Sequence, residues 1–211
     1  QFREARDLRE TLLETGVVSE LSVADSMHNI ARSLWFRREF GQAEKLYREV
    51  LDIRVRKHGI DHLEVATSKN HIAACLNGRE RYAEAEDWYR QSLALRERLL
   101  PAGHQDVAAS KNNLASCLWS QEKYGDALVH FLDAADIIEK ISGHVDFRVA
   151  VGLHGAAKCL MKLGRFEEAE RRFDEVIDIK LKLWDASHHS VLKSRHWLAK
   201  AYFEQGKLDS A

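Results

Sequence analysis

The chain contains 211 residues, of which 45% are hydrophobic and 31% charged, enough for one large domain or two small ones. Its 32 Lys and Arg against 33 Asp and Glu leave a formal charge of −1, which argues against a nucleic-acid partner because such proteins carry a basic excess. Three Cys, an odd number, argue against a disulfide framework and favour a reducing compartment, so we expect a cytoplasmic protein. No apolar run reaches the roughly 18 residues of a spanning helix, and membrane insertion is not expected.

The predicted elements are helices that recur with a period of 42 residues. One column at this step holds Phe40, Tyr82, Tyr124, Phe166 and Leu208, and a second holds Ala43, Ala85, Ala127, Ala169 and Ala211. A third column holds Ala31, Ala73, Ala115, Ala157 and Ala199. The register holds without an insertion, which indicates a repeat architecture in which each unit buries its apolar face against the next.

Within each unit the apolar residues recur at steps of three and four, which predicts two antiparallel helices, A and then B. Residues 1–15 are predicted as the B helix of a preceding unit, because they repeat the pattern that begins at Phe40 in a position 38 residues upstream. The A helices are then predicted at about 20–38, 62–80, 104–122, 146–164 and 188–205. The B helices are predicted at about 41–57, 83–99, 125–141 and 167–184.

The motif [Gly/Gln]-x-[Phe/Tyr]-x-x-Ala-x-x-x-[Tyr/Phe], placed after an Ala-x-x-Leu helix, resembles the tetratricopeptide repeat. The longer period and stretches such as His104-Gln105-Asp106-Val107-Ala108 resemble the kinesin light chain subtype. This resemblance implies an all-α fold, a right-handed α-solenoid of antiparallel helix pairs. HEAT and armadillo repeats share this range of periods but lack the aromatic-x-x-Ala turn. Asp146 stands where the other units have His, a departure that leaves the predicted fold unchanged.

The repeat also predicts the domain organisation. We expect a single solenoid domain over residues 1–211, made of residues 1–15 from a preceding unit, repeats at 20–61, 62–103, 104–145 and 146–187, and a partial repeat at 188–211. Because the last unit stops within its B helix, we expect this chain to be a fragment of a longer protein. Leu198 and Tyr202 would then be exposed, and we expect self-association through this end.

The sequence predicts no catalytic site, metal site or cofactor. His62, His104 and His188 form one repeat column, which indicates a structural role, and no His cluster has a recognisable metal-ligand spacing. Cys75, Cys117 and Cys159 form another column, whose spacing across helix pairs is too wide for a disulfide, so we predict a packing role. No phosphate-binding loop, nucleophile elbow or metalloprotease motif occurs.

A binding surface is predicted instead on the A helices, because the resemblance gives these helices the role of lining a concave groove. The predicted groove residues are His28, Arg32, Trp35, Asn70, Asn77, Asn112, Trp119, His154, Lys158, Lys193, His196 and Lys200. Repeated Asn side chains can hold an extended backbone through their amide donors and acceptors. The groove face comprises five columns, which begin at Asp25, His28, Arg32, Trp35 and Phe36 and recur in all five A helices. Across these 25 positions five Lys or Arg stand against two carboxylates, which favours an acidic peptide or a terminal carboxylate.

We therefore predict a non-catalytic scaffold or adaptor that binds a peptide segment of a partner protein in this groove. The alternative is a regulatory or oligomerising repeat region of a larger signalling protein, which an adjoining kinase-like or nucleotide-binding domain would favour. An RNA-binding repeat array would require a strongly basic groove, and a balance of five to two does not provide one.

Overall fold

A computed structural model describes residues 19–206 of the chain. In this range the chain forms nine α-helices and no strand. In chain order they are α1 (Glu20–Phe36), α2 (Phe40–His58), α3 (Leu63–Gly78), α4 (Tyr82–Leu99), α5 (Gln105–Ser120), α6 (Tyr124–Ser142), α7 (Phe147–Lys162), α8 (Phe166–Leu183) and α9 (His189–Glu204). The predicted all-α fold of helix pairs is confirmed. Residues 1–15, Leu208 and Ala211, for which further helices were predicted, lie outside the described residues.

The helices fall into two compact units, one ending at Leu99 and one beginning at Leu100. The first unit contains α1 to α4 and the second contains α5 to α9. Within each unit every helix packs against the helix that precedes it in the chain. The single continuous domain and the repeat boundaries given above stay predictions.

Most A helices begin with a His side chain that caps the helix. The Nδ1 atoms of His62, His104 and His188 accept hydrogen bonds, at 3.1–3.3 Å, from backbone N–H groups two residues further on. Asp146 does the same for the N–H of Arg148 at 2.7 Å, and hydrogen bonds from Arg148 lower the pKa of Asp146 to about 2. A capped helix start leaves fewer unpaired N–H groups. The His column is therefore structural, and Asp146 performs the same function.

Each A helix turns into its B helix through one residue with a positive φ angle. These residues are Arg38, Glu80, Glu122 and Gly164, with φ between 61° and 73°. Glycine adopts this conformation more readily than other residues, yet three of the four positions carry long charged side chains. The tight turn brings the two helices of a pair together directly.

Small side chains allow these helices to approach closely. Eight Ala residues of the two repeat columns are completely buried, namely Ala31, Ala73, Ala115, Ala157, Ala43, Ala85, Ala127 and Ala169. Cys75, Cys117 and Cys159 are also buried and form no disulfide, and burial raises the pKa of Cys75 and Cys159 to about 12. The predicted packing role of the Cys column is confirmed.

Two apolar residues of α9, the last described helix, are less covered than their counterparts on α5. Leu198 and Tyr202 on α9 are half-buried, whereas the equivalent residues of α5, Leu114 and Leu118, are buried. Leu198 and Tyr202 were expected to be exposed, and they are partly so. Self-association through α9 stays a prediction.

Candidate functional site

The predicted groove residues all lie on A helices. In the first unit, α1 carries His28, Arg32 and Trp35, and α3 carries Asn70 and Asn77. In the second unit, Asn112 and Trp119 lie on α5, His154 and Lys158 on α7, and Lys193, His196 and Lys200 on α9. Arg32, Lys193, His196 and Lys200 are exposed, and the Asn residues, His28, His154, Trp119 and Lys158 are half-buried. Trp35 contacts its neighbours Phe36 and Phe40.

In the first unit, His28 belongs to a buried aromatic cluster. Its ring lies edge-on to Tyr47, at 5.3 Å between centroids, and His71 stacks on Tyr47 at 4.8 Å. Burial is the main cause that lowers the pKa of His71, to about 4, and it also lowers the pKa of His28. His28 is therefore a neutral packing residue at neutral pH and offers no charge to a ligand.

Arg54 on α2 lies beside this cluster and is only 4% exposed. Its guanidinium contacts the Ser68 hydroxyl at 3.0 Å and forms ion pairs with Asp25 at 3.0 Å and Glu64 at 2.8 Å. Two carboxylates thus neutralise this buried cation. Arg54 lies on a B helix, outside the A-helix face on which the sequence predicts the groove.

The second unit contains an equivalent cluster. The ring of His154 lies edge-on to Phe173 at 5.4 Å, and Trp197 stacks on Phe173 at 6.3 Å. Burial, together with the charges of Lys180, Lys158 and Lys193, lowers the pKa of His154 to about 3. Three lysines therefore lie close enough to this ring to affect its protonation.

Lys180 on α8 is the buried cation of the second unit, with 4% of its surface exposed. Its Nζ atom donates to the Ser190 carbonyl at 3.0 Å and to the Ser194 hydroxyl at 2.9 Å. The same hydroxyl lies 3.3 Å from His154 Nδ1. Among the described residues no carboxylate forms an ion pair with Lys180. The ammonium group is hydrogen-bonded, but its charge is not neutralised.

Lys158 on α7 is held between two indole rings. Its Nζ atom lies 4.3 Å from the ring centroid of Trp119 and 5.3 Å from that of Trp197. Lys200 approaches Trp197 at 5.4 Å. Burial and the nearby Lys193 lower the pKa of Lys158. Cation–π contacts of this kind are worth about 0.5–2 kcal/mol, and they position the ammonium group without neutralising it.

A pocket of about 380 Å³ opens between α5, α6 and α7 of the second unit. It is mainly apolar, with a polar edge, and is lined by Gln105, Asp106, Ala108, Ala109, Asn112, Ala134, Ile138, Phe147, Arg148 and Val151. The Oδ1 atom of Asn112 is buried and has no hydrogen-bond partner among residues 19–206. A predicted groove residue therefore carries an unused acceptor at the wall of an apolar pocket.

The pocket occupies a place where the repeat pattern changes. Ile138 stands at the column position of Arg54 and Lys180, and Gly152 stands at the position of Ser68 and Ser194. A Cβ atom on Gly152 would lie 2.9 Å from the backbone oxygen of Phe131, so α7 can approach α6 only with glycine here. Because neither the cation nor the Ser of the other units is present here, this part of the surface is apolar.

Other binding chemistry is not apparent in the part of the chain that the structure describes. No three His, Cys, Asp or Glu side chains in residues 19–206 converge in a way that could hold a metal ion. None of the described helices is both long and apolar enough to cross a membrane. The site is thus composed of an apolar pocket, amide groups and unneutralised lysines.

The repeats themselves identify the family. The sequence matches the tetratricopeptide repeat family over residues 22–98, 64–140 and 106–182, which overlap and together span residues 22–182. The chain belongs to this family, as the sequence pattern predicted. A comparison with the sequences of functionally characterised proteins finds no match.

Solved structures agree on the fold. The putative kinesin light chain nearly identical TPR-like repeats of Podosopora anserina match with a TM-score of 0.80 at 22% identity, covering 92% of both chains. BtubC (BKLC) from P. vanneervenii matches with a TM-score of 0.80 at 18% identity, over 98% of this chain and 82% of that one. A Rap protein complexed with competence and sporulation factor matches at 0.70 and 16% identity, over 98% of this chain and 55% of that one.

Proposed function

We propose that the chain is a non-catalytic scaffold or adaptor in the cytoplasm that binds an extended peptide segment of a partner protein on its A helices. The observation that carries the proposal is the pocket beside Asn112 in the second unit, which combines an apolar floor with an unused amide acceptor. Repeat proteins of this family use their helices as interaction surfaces, and a concave groove is the family's expected binding surface.

Each part of this surface suits a different part of a peptide. A single apolar side chain fits the pocket, and burying one there contributes roughly 1.5–3 kcal/mol. The amide of Asn112 can accept a hydrogen bond from the peptide backbone. Lys158, Lys193 and Lys200 on the neighbouring helices favour acidic residues next to the anchoring side chain. The fold match to a Rap protein complexed with a factor supports a ligand-binding role for this fold.

The experiment that tests the proposal is a selection of binders from a random peptide display library, followed by affinity measurements on the selected peptides. Replacing Asn112 with Ala should weaken binding by about 1–2 kcal/mol, within the range for a lost hydrogen bond in a buried contact. Val151→Arg should fill the pocket and abolish binding. The matched control is Asn29→Ala, the same change at an exposed position outside the predicted face.

The melting temperatures of the variants separate binding effects from folding effects. The proposal requires that Asn112→Ala and Asn29→Ala melt like the wild type, and that only the former loses affinity. Selected peptides that bind all three variants equally well would place the interaction elsewhere on the chain and contradict the proposal.

A further inference from the structure

The second unit contains a cluster of cations that no described carboxylate neutralises. Lys180 and His154 contact the same Ser194 hydroxyl, at 2.9 and 3.3 Å, Lys158 follows His154 by one helical turn, and Lys193 directly precedes Ser194. The charges of these three lysines also lower the pKa of His154. Within residues 19–206 none of these three lysines forms an ion pair. The cluster lies on α7, α8 and α9, at the edge of the predicted groove.

We propose that this lysine cluster is a binding site for a dianionic phosphoryl group, presented by a phosphorylated side chain of the bound peptide. Like charges that are held together in a partly buried place destabilise the fold unless a counter-charge joins them. Lys180 is buried, Lys158 is half-buried between two indole rings, and Lys193 is exposed directly before Ser194, which Lys180 contacts. An anion that enters from the exposed side would relieve this repulsion.

A phosphoryl group fits the cluster better than a single carboxylate does. At neutral pH it carries a charge near −2 and presents three acceptor oxygens, so it can engage several cations at once. Lys158 and Lys193 provide the accessible ammonium groups. Lys180 contributes its charge from beneath, because its hydrogens already donate to Ser190 and Ser194.

The first unit provides an internal reference for this reasoning. Its equivalent buried cation, Arg54, is paired with Asp25 and Glu64. The corresponding positions around Lys180 hold Val151 and Ser190. The second unit keeps the cation and lacks both carboxylates, so its charge is available to an external anion.

The proposal deepens the proposed function and rests on it only for the source of the phosphoryl group. The first test therefore uses inorganic phosphate, with acetate as the monoanionic comparison at constant ionic strength. Binding is followed by the tryptophan fluorescence of the whole chain, because Trp119 and Trp197 contact Lys158. We expect a saturable change with phosphate and none with acetate at the same concentration.

The variants for this test are Lys158→Met and Lys193→Met, with Lys182→Met as the control. Lys182 is an exposed lysine on α8, so its replacement makes the same change of net charge away from the cluster. Each cluster variant should weaken phosphate binding at least tenfold, since a charge-assisted hydrogen bond is lost. The Lys182 variant should bind like the wild type. Equal phosphate binding by all four proteins, or no saturable binding by the wild type, would overturn the proposal.

A second test addresses the source of the phosphoryl group. Peptides selected on the chain are synthesised with Ser, Glu or phosphoserine at successive positions, and their affinities are compared. We expect one position at which phosphoserine binds at least tenfold more tightly than Glu, an advantage lost in Lys193→Met. If inorganic phosphate binds but Glu equals phosphoserine at every position, the phosphopeptide assignment is wrong while the peptide-binding function stands. If no peptide binds at all, the proposed function fails, and phosphate binding alone does not rescue the phosphopeptide assignment.

Discussion

The buried cations Arg54 and Lys180 lie three repeat periods apart and occupy the same place in their respective units. Each donates to a Ser hydroxyl 14 residues further along, and each lies within hydrogen-bonding distance of a carbonyl 10 residues along. In the first unit two carboxylates surround the guanidinium, and in the second unit no described carboxylate pairs with the ammonium group. One repeat position can therefore support the fold in one unit and provide an unneutralised charge in the other.

The aromatic clusters beside these cations repeat the comparison. His28, Tyr47 and His71 in the first unit correspond in position to His154, Phe173 and Trp197 in the second. The edge-on angles between the first two rings are nearly identical, at 70° and 69°. The packing frame is thus conserved between the two units, and the differences lie in the charged groups around it.

The largest expected difference concerns the two cations themselves. Arg54→Met should lower the free energy of unfolding by about 2–3 kcal/mol, because it leaves two carboxylates without their partner; their partial exposure keeps the loss below that of a fully buried pair. Lys180→Met should cost less than about 1 kcal/mol, because the lost hydrogen bonds are offset by relief from Lys193. Urea unfolding of both variants measures the difference. Equal losses would remove the distinction between the two units.

The stability of the first unit should depend on pH through His71. Its pKa is lowered from 6.5 to about 4, so the unfolded chain binds a proton more readily than the folded chain between these values. Stability contributed by neutral His71 is present above pH 6.5 and is lost as the pH falls toward 4. His71→Phe keeps the stack on Tyr47, and it should reduce the stability loss between pH 7 and pH 5 by about 1–2 kcal/mol.

Denaturation at both pH values, with wild type and His71→Phe measured together, tests this prediction. His154→Phe in the second unit should reduce the loss in the same direction, because the pKa of His154 is also lowered by burial. An undiminished pH dependence in His71→Phe would show that this ring is not the titrating group.

The side chains that cap the A helices should contribute equally to stability in the two units. His62→Ala in the first unit and Asp146→Ala in the second each remove a side-chain acceptor from a helix start. Each change should cost about 1 kcal/mol in the free energy of unfolding. Asp146→His restores the repeat residue and should cost less than Asp146→Ala. A cost confined to one unit would mean that the two caps are not equivalent.

The smallest expected effect comes from charge reversal at Lys193. Lys193→Glu places a carboxylate next to Lys158 and Lys180 and should raise the free energy of unfolding by a few tenths of a kcal/mol, up to about 1, since exposed ion pairs contribute little. The gain should fall as salt is added. Thermal melting at low and high salt measures it, with Lys193→Gln as the neutral comparison. A destabilised Lys193→Glu variant would contradict the mutual repulsion of these lysines.

The sequence predicted the helices and their contacts well, because spacing determines which face of a helix is buried. The Ala and Cys columns were assigned to packing, and the structure buries them. The column that contains Arg54 and Lys180 was not recognised from the sequence, because Ile138 interrupts it. The Ser residues that these cations contact, Ser68 and Ser194, lie 14 residues further on in the next helix. The capping role of the His column required coordinates as well, because spacing alone gives no hydrogen-bond partner.

The candidate site was predictable only in part. The A-helix positions followed from the repeat, but the lowered pKa values of His28 and His154, which keep both rings neutral, follow from burial and are not visible in the sequence. The pocket depends on the close approach that Gly152 allows, which a one-dimensional pattern does not reveal. Whether a buried cation can attract a ligand likewise depends on which carboxylates the fold places beside it.

The most direct test of the central claim is a hydrogen-exchange footprint of a library-selected peptide on the wild-type chain. The claim is that partners bind to the A helices of the second unit, over the pocket and the lysine cluster. We expect slower amide exchange on binding mainly in α5, α7 and α9, with any protection of α6 and α8 limited to the turns that carry Ile138 and Lys180. Protection confined to α6 and α8, with α5, α7 and α9 unaffected, would contradict it.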